Sequence, residues 1–289
     1  MKATILERKP LEGVPSASGL SATEGGFFVV GDDSPVLFRI DATGEVQERM
    51  QIFASEEERI PKAIKPDIES IARLGQDDGI LLFGSGSKIP RRAGIVWIKP
   101  FEMAQHFDAS AFYLRIIDAC GITLDDLNIE GAACDGWTLH LLNRGGNHRI
   151  SLQAGELIRF LQENGPVPNL QCQSYTLPAV EGHLAGFSGA AFHAPSGRLI
   201  FCASIEATDN WIDDGAVLGS YIGWLDLADA SGQVRIAPVL EENGDIYTGK
   251  IEAVELYLTL STTRLELVAV TDDDKGGSEF LRIDFDMAD

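Results

Sequence analysis

The sequence predicts an all-β fold, a β-propeller of four-stranded antiparallel blades. Three observations predict it. A short pattern (apolar residue, Ser or Glu, small residue, apolar residue) recurs five times, as Ala17-Ser18-Gly19-Leu20, Ile68-Glu69-Ser70-Ile71, Ile129-Glu130-Gly131-Ala132, Phe187-Ser188-Gly189-Ala190 and Ile251-Glu252-Ala253-Val254. The copies stand at intervals of roughly 50–60 residues, the spacing of a repeat array rather than of a two-layer domain. Each copy opens a series of short runs rich in β-branched and aromatic residues and bounded by Gly, Asp, Asn or Pro. The last series is one strand short, and the N-terminus has a strand to spare.

The elements follow in order. After Ser18 come strand signals at 26–30, 36–40 and 46–52; after Glu69 at 80–83, 94–98 and 112–117; after Glu130 at 137–142, 148–152 and 170–175; after Ser188 at 198–202, 221–225 and 234–239. With the pattern itself as first strand, each copy heads four strands. After Glu252 only 264–270 and 279–285 remain, and residues 2–8 are expected beside 279–285, closing the ring and removing an unpaired edge. The count is five blades in one domain spanning 1–289, with six the alternative if a degenerate copy hides in a long connection. Residues 60–64 and 155–162 are expected to be helical, the second as a surface insertion in the third blade. The residue after each Ser or Glu (Gly19, Ser70, Gly131, Gly189, Ala253) is never larger than Ser, as crowding of inner strands near an axis demands.

Hydrophobic residues form 45% of the 289, enough for a substantial core, and 44 acidic against 23 basic residues give a formal charge of −21. Such a surface repels phosphate backbones and anionic lipid, which excludes nucleic acid and membrane as partners. No apolar run has the length of a bilayer span or a signal-peptide core, so a cytoplasmic address is expected. Cys120, Cys134, Cys172 and Cys202 show no metal-ligand spacing and are expected to be free thiols in a reducing compartment.

Antiparallel alternation puts the loops leading into each first strand and the hairpins between second and third strands at one end of the ring. That face collects Asp32, Asp33, Glu69, Glu130, Glu206, Asp213, Asp214, Glu252 and Asp272 with Arg91, Arg92, Arg144 and His148. Glu69, Glu130 and Glu252 start inner strands and point into the channel mouth, where like charges require a bound cation, raised pKa values or a nearby Arg. Ca²⁺ suits the first solution, with Asn128, Asn143, Ser18 and Ser188 as further oxygen donors; plain ion pairs with Arg92 or Arg144 are the alternative. The long hairpin 206–220 brings Glu206 and Trp211 over the mouth. His140 reads as a packed residue. No nucleophile elbow, Walker loop, dinucleotide fingerprint or zincin motif is present.

At Asp67-Ile68-Glu69-Ser70-Ile71-Ala72 and Asn128-Ile129-Glu130-Gly131-Ala132-Ala133 the chain resembles the esterase-like phytase propellers and their uncharacterised bacterial relatives. Gly31-Asp32-Asp33-Ser34-Pro35, Asp213-Asp214-Gly215 and Leu218-Gly219-Ser220 look like one bacterial group within that set. The chain is also similar to the lactonase-type propellers, which hold a metal at the channel mouth with carboxylate and Asn. The resemblance implies a Ca²⁺-dependent hydrolase of phosphate or carboxylic esters. The expectation is therefore a metal-supported hydrolase of a small ester, lactone or phosphoester. Glu69, Glu130 and Glu252 hold the cation, assisted by Asn128 or Asn143. Arg92 and Arg144 grip an anionic group, a mouth carboxylate not bound to metal or His148 serves as base, and Asp32, Asp33, Ser18, Ser188, Glu206, Trp211 and Asp272 line the substrate site. The rival is a non-catalytic propeller presenting the same face to a small molecule or a protein partner.

Overall fold

The structure, a computed structural model, describes residues 1–289 except 76–78, 90–91, 100–101, 209–214, 230, 274 and 289. Strand β1 (Lys2–Pro10) comes first in the chain and pairs with its last strand. The first four-stranded sheet comprises β2 (Ala17–Thr23), β3 (Gly26–Gly31), β4 (Val36–Asp41) and β5 (Val46–Gln51). The second comprises β6 (Ile68–Arg73), β7 (Ile80–Gly84), β8 (Gly94–Ile98) and β9 (Gln105–Asp108), followed by helix α1 (Ser110–Cys120). The third comprises β10 (Ile129–Cys134), β11 (Thr138–Asn143), β12 (His148–Gln153) and β13 (Gln171–Ser174), with α2 (Ala154–Glu163) between the last two. A two-residue ribbon, β14 (Ala179–Val180) and β15 (His183–Leu184), precedes β16 (Gly186–His193), β17 (Arg198–Glu206), β18 (Val217–Asp226) and β19 (Arg235–Leu240). Then come β20 (Lys250–Thr259), β21 (Arg264–Asp272) and β22 (Ser278–Asp286). These last two series share one eight-stranded sheet, ordered β16-β17-β18-β19-β1-β22-β21-β20. As the strand deficit predicts, β1 lies antiparallel to β22; it also runs parallel to β19 at Ala3 and Thr4.

The first strands touch in cyclic order: β2 meets β6, β6 meets β10, β10 meets β16, β16 meets β20, and β20 returns to β2. The fold is all-β, mostly antiparallel and propeller-like. One staple repeats at every junction. The N–H that opens each first strand donates to an acceptor in the preceding series: Ile68 to Asp32 O, Ile129 to Ser85 O, Phe187 to Asn147 Oδ1, Ile251 to Ser220 Oγ and Ala17 to Ser278 Oγ. The last of these joins the C-terminal series to the N-terminal one, so the circle is closed by the same bond that builds it. Glu255 adds a second tie there, accepting from Ala22 N at 3.0 Å. Apolar clusters fill the spaces between successive sheets, with Phe187, Phe201 and Leu199 wholly buried between the third and fourth series and Phe280, Val29 and Ile40 between the last and first.

The recurring pattern has a structural cause. In all five first strands the register slips at the Ser/Glu position: between Ala17 and Gly19, Ile68 and Ser70, Ile129 and Gly131, Phe187 and Gly189, and Ile251 and Ala253. Ser18, Glu69, Glu130, Ser188 and Glu252 are therefore β-bulge residues, left out of the ladder and free to aim their side chains. The small residue that follows faces the crowded axis. A Cβ on Gly189 would stand 2.7 Å from Ala253 Cα, and one on Gly19 would stand 2.8 Å from Val30 Cγ1.

Three expectations are corrected. Residues 112–117 belong to α1, not to a strand, and β9 supplies the fourth strand of the second sheet. Phe112, Tyr113 and Ile116 bury one helical face, and Gly121 at φ 65° ends the helix in the left-handed conformation that glycine adopts freely. Residues 60–64 form a turn rather than a helix, whereas α2 forms as expected. Cys120 and Cys172 are joined in a disulfide, Cα–Cα 5.4 Å, that ties α1 to β13; Cys134 and Cys202 form no disulfide. No helix among the described residues is long and apolar enough to cross a membrane.

Candidate functional site

The bulges lead to one place. Glu69, Glu130 and Glu252 line a single cavity of about 130 Å³ at the axial end of the first strands. Ser18, Asp32, Asn128, Glu206, Asp272, Arg92 and Arg144 line it too, as sequence reasoning expected. The remaining wall was not foreseen as a site: Lys62, Lys65, Asp67, Ser87, Lys88 and Lys250. A signal for the most important of these was present. Along an extended segment, residues two apart share a face, so Asp67 accompanies Glu69, Asn128 accompanies Glu130 and Lys250 accompanies Glu252.

The charges fall into two networks. In the first, Lys65 Nζ bonds Asp32 and lies 2.8 Å from Asp67 Oδ1, while Arg92 Nη1 lies 2.7 Å from Asp67 Oδ2. Ser85 Oγ donates to the same Asp67 oxygen, and Ser87 Oγ accepts from Arg92 Nη1 at 2.9 Å. Asp67 reaches this position with φ 61°, a left-handed conformation that Asp tolerates better than most residues. In the second, Arg144 bonds Glu130 Oε2 at 3.0 Å, Ser204 Oγ at 3.2 Å and Glu206 Oε2. Lys250 Nζ lies 3.0 Å from Glu252 and 3.5 Å from Glu206. Asn128 Nδ2 donates to Glu130 Oε1 at 2.6 Å. Arg144 needs Gly186 beneath it, since a Cβ there would stand 2.5 Å from its Cγ.

Each network sets three carboxylates against two cations, and the surplus shows in the proton affinities. Burial, together with Asp67 and Asp32, pushes the Glu69 carboxyl well above its usual range, against the pull of Lys65. Burial, with Glu130, Asp272 and Glu206 facing it, pushes Glu252 up to about 8, against the pull of Lys250. Glu130 and Asp32 are also raised, by desolvation first, with Arg144 and Lys65 opposing. Three of the pocket-lining residues each keep one side-chain atom buried without a hydrogen-bond partner among the described residues: Asp32 Oδ1, Glu206 Oε1 and Arg92 Nε.

Other expected site residues stand elsewhere. Asn143 is wholly buried behind the wall: its Oδ1 accepts from Asn128 N, and its Nδ2 donates to the carbonyls of Asp126 and Gly145, so its amide is spent on backbone. His148 packs under the Gly145-Gly146 turn, Nδ1 3.3 Å from Gly145 O, and does not line the cavity. Asp33 turns away to Arg59, 2.8 Å. Ser188 Oγ donates to Ile251 O at 2.6 Å outside the cavity wall, and Ser18 Oγ makes the equivalent bond to Ile68 O at 2.6 Å. The two serines of the pattern thus stitch neighbouring first strands, while the three glutamates face the pocket. Trp211, Asp213, Asp214 and Arg91 lie outside the described residues.

A divalent cation was the expected tenant. Oxygens of Asp32, Asp67 and Glu69 lie within 4.8 Å of one another, a spacing that suits hard-cation ligation. Lys65 Nζ already bridges two of those three carboxylates, so the donor set fits a metal only with the ammonium displaced. Glu130 and Glu252 are likewise committed to Arg144 and Lys250.

Among solved structures, a tail fibre of Staphylococcus aureus phage P68 matches at TM-score 0.50 and 12% identity, covering 98% of this chain and 53% of that one, so the chain spans about half the length of the phage protein. A nidogen/laminin complex matches at TM-score 0.47 and 14% identity, covering 89% and 76%. Virginiamycin B lyase from Staphylococcus aureus matches at TM-score 0.39 and 9% identity, covering 97% and 98%. Identities this low speak to fold alone. No curated protein matches the chain. A family model does match, over residues 13–285, nearly the whole of the ring from the first strand of the pattern to the last, and the chain accordingly belongs to DUF6929, a family of unknown function.

Proposed function

We propose that the chain is a five-bladed β-propeller whose axial pocket binds a small polar molecule. Five bulges and five junction staples in cyclic order support the blade count. The observation that carries the binding reading is the set of unpartnered buried atoms in the pocket wall, Asp32 Oδ1, Glu206 Oε1 and Arg92 Nε. A buried polar atom without a partner costs about 1–3 kcal/mol, and three residues of one cavity wall carry such an atom, which supports a polar tenant there. Native mass spectrometry of the purified chain tests it. A small molecule retained at one per chain and lost in Glu206→Gln supports binding; an unliganded spectrum for wild type in every preparation refutes it.

A second reading is favoured by the Asp32, Asp67 and Glu69 oxygens, and by the resemblance to phytase and lactonase propellers: metal-supported hydrolysis of a small ester, lactone or phosphoester. Those three residues would hold the ion with Lys65 moved aside, and the ion would polarise a substrate oxygen. Arg92 and Arg144 would face an anionic group. Elemental analysis, with melting curves before and after chelation, tests this reading. A stoichiometric divalent ion whose removal lowers the melting temperature supports it, and a metal-free protein indifferent to added Ca²⁺ removes it. The Cys120–Cys172 disulfide supports an oxidising compartment in place of the cytoplasmic address.

A further inference from the structure

The axial pocket is blind below. Among the small residues that follow the bulges a space of about 10 Å³ remains, room for a single water molecule at most, so a ligand enters from the mouth face. Part of the wall on that face belongs to no sheet. Between β5 and β6 the chain runs from residue 52 to residue 67 without helix or strand, and this segment brings Lys62 and Lys65 to the pocket. A connection of that length without regular structure is commonly a lid or a binding loop. It is rooted at one end by Ile52 and Phe53, whose N–H groups both donate to Pro35 O, and at the other by Asp67, held by Arg92 and Ser85.

Between those roots, Ile60, Arg59 and Lys65 tie the segment to the ring. Ile60 is the one buried side chain of residues 54–64, and its N–H donates to Asp33 O at 2.7 Å. Arg59 fans across the seam where the ring closes. Its Nε donates to Asp33 Oδ2 at 2.9 Å, Nη2 to Ser16 Oγ at 3.1 Å and Nη1 to Lys275 O at 3.3 Å, with Gly276 leaving room for it. Lys65 Nζ reaches into the pocket between Asp32 and Asp67. Glu56, Glu57, Glu58 and Ile64 lie open to solvent. A segment with one apolar plug and polar ties that water can replace has the low local stability of elements that open on their own. The strands it passes between, β2 and β6, are laddered into their sheets and stapled to their neighbours. We propose that residues 54–65 are a strap that opens while the ring stays folded, latched at the seam by Arg59 and bolted in the pocket by Lys65, and that its opening clears the mouth. The motion does not depend on what the pocket binds; that it admits a ligand rests on the ligand-site reading above. Opening withdraws Lys65 from both aspartates, so the closed strap is the resting state and a ligand meets the pocket only in the open fraction. The metal reading, which needs Lys65 moved aside, needs the same motion.

The test is hydrogen exchange on the full chain, read by mass spectrometry. The amides of Ile60, Ile64 and Lys65 are hydrogen-bonded, so their exchange reports opening. They are expected to exchange on the order of 100-fold faster than the amides of β2 and β6, and without the urea dependence of global unfolding. Arg59→Ala, a change outside the axial pocket, should speed the strap about 10-fold and leave β2 and β6 as they were. Acetylation of the native chain should mark Lys65 faster than Lys250, whose side chain is as enclosed (11% and 13% exposed) but stands on β20. Arg59→Ala should widen that difference. Strap amides that exchange at the rate and with the urea dependence of β2 and β6 overturn the proposal, and so does an Arg59→Ala variant that speeds strap and strands alike. Equal acetylation of Lys65 and Lys250 overturns it too, since Lys65 has then not left the pocket. An opening strap in a chain whose native mass spectrum retains no molecule supports the gate and refutes the ligand-site reading. A retained molecule beneath a strap that exchanges only with the ring does the reverse.

Discussion

Arg144 is the residue on which the second charge network turns, and replacing it by methionine should expose the cost of that network. Its side chain is 4% exposed, and its partners Glu130 and Glu206 are 9% and 5% exposed. Three groups lose their donor at once: Glu130 Oε2, Glu206 Oε2 and Ser204 Oγ. Methionine keeps the stem that packs over Gly186, so the loss is electrostatic rather than steric. Removing one partner of a buried pair typically costs about 3–5 kcal/mol, because the opposite charge stays buried and uncompensated. Lys250 remains as the one network cation facing Glu130, Glu206 and Glu252, which places the expected loss at the upper end of that range. Urea denaturation at neutral pH reads it directly. The combined variant Arg144→Met, Glu130→Gln, Glu206→Gln should recover most of the loss, since no charge is then stranded. A cost below about 1 kcal/mol for the single variant, or no recovery in the triple, would refute the claim that this network is buried and held by its ion pairs.

Other consequences follow from the ring. Ser18→Ala and Ser188→Ala should each cost about 1 kcal/mol, the loss of one bond between first strands, and should add in the double variant because the sites lie in different sheets; denaturant midpoints check this. Gly189→Ala should destabilise by about 1–3 kcal/mol, since its Cβ would press on Ala253 Cα and Glu252 O. Glu255 is held up to about 7 from 4.5, chiefly by burial. An acid whose folded pKa is raised binds more protons folded than unfolded, so its contribution falls as pH rises from about 4.5 to 7. The fall amounts to about 3 kcal/mol, and Glu255→Gln should flatten the stability profile across that window. Paired Cys120→Ser and Cys172→Ser substitution opens a loop of 52 residues and should cost about 4 kcal/mol, with two thiols rather than four titrating in the denatured, unreduced wild type.

Much of the ring was legible because its repeat is mechanical. Every first strand needs a small residue at the axis and a bulge beside it, so the pattern persists where the rest of the sequence diverges, and the unpaired strand 2–8 had one place to go. The missed helix α1 shows the limit. Phe112, Tyr113, Leu114, Ile116 and Ile117 have strand propensity, yet Gly121 and the burial of Phe112, Tyr113 and Ile116 mark a helix. Composition overrode periodicity there. In the site, the glutamates were readable from the bulge position. Lys65 and Lys250 were not read as site residues, although the alternation that aims Glu252 inward also aims Lys250. Asn143 and His148 fit the chemistry by type, but hairpin packing consumes the Asn143 amide and holds His148 Nδ1 at the Gly145 carbonyl, and sequence alone does not reveal which amide a turn will claim. The disulfide links residues far apart in the chain and had no spacing signature.

The central claim is that bulged inner strands gather acidic side chains round a common axis, where internal lysines and arginines hold them. A crystal structure of the purified protein tests it most directly. It should show Lys65 Nζ between Asp32 and Asp67, Arg144 between Glu130 and Glu206, and non-protein density in the axial pocket. Glutamates 69, 130 and 252 dispersed over separate surfaces, or an ion ligated by Asp32, Asp67 and Glu69 with Lys65 swung out to solvent, would contradict it.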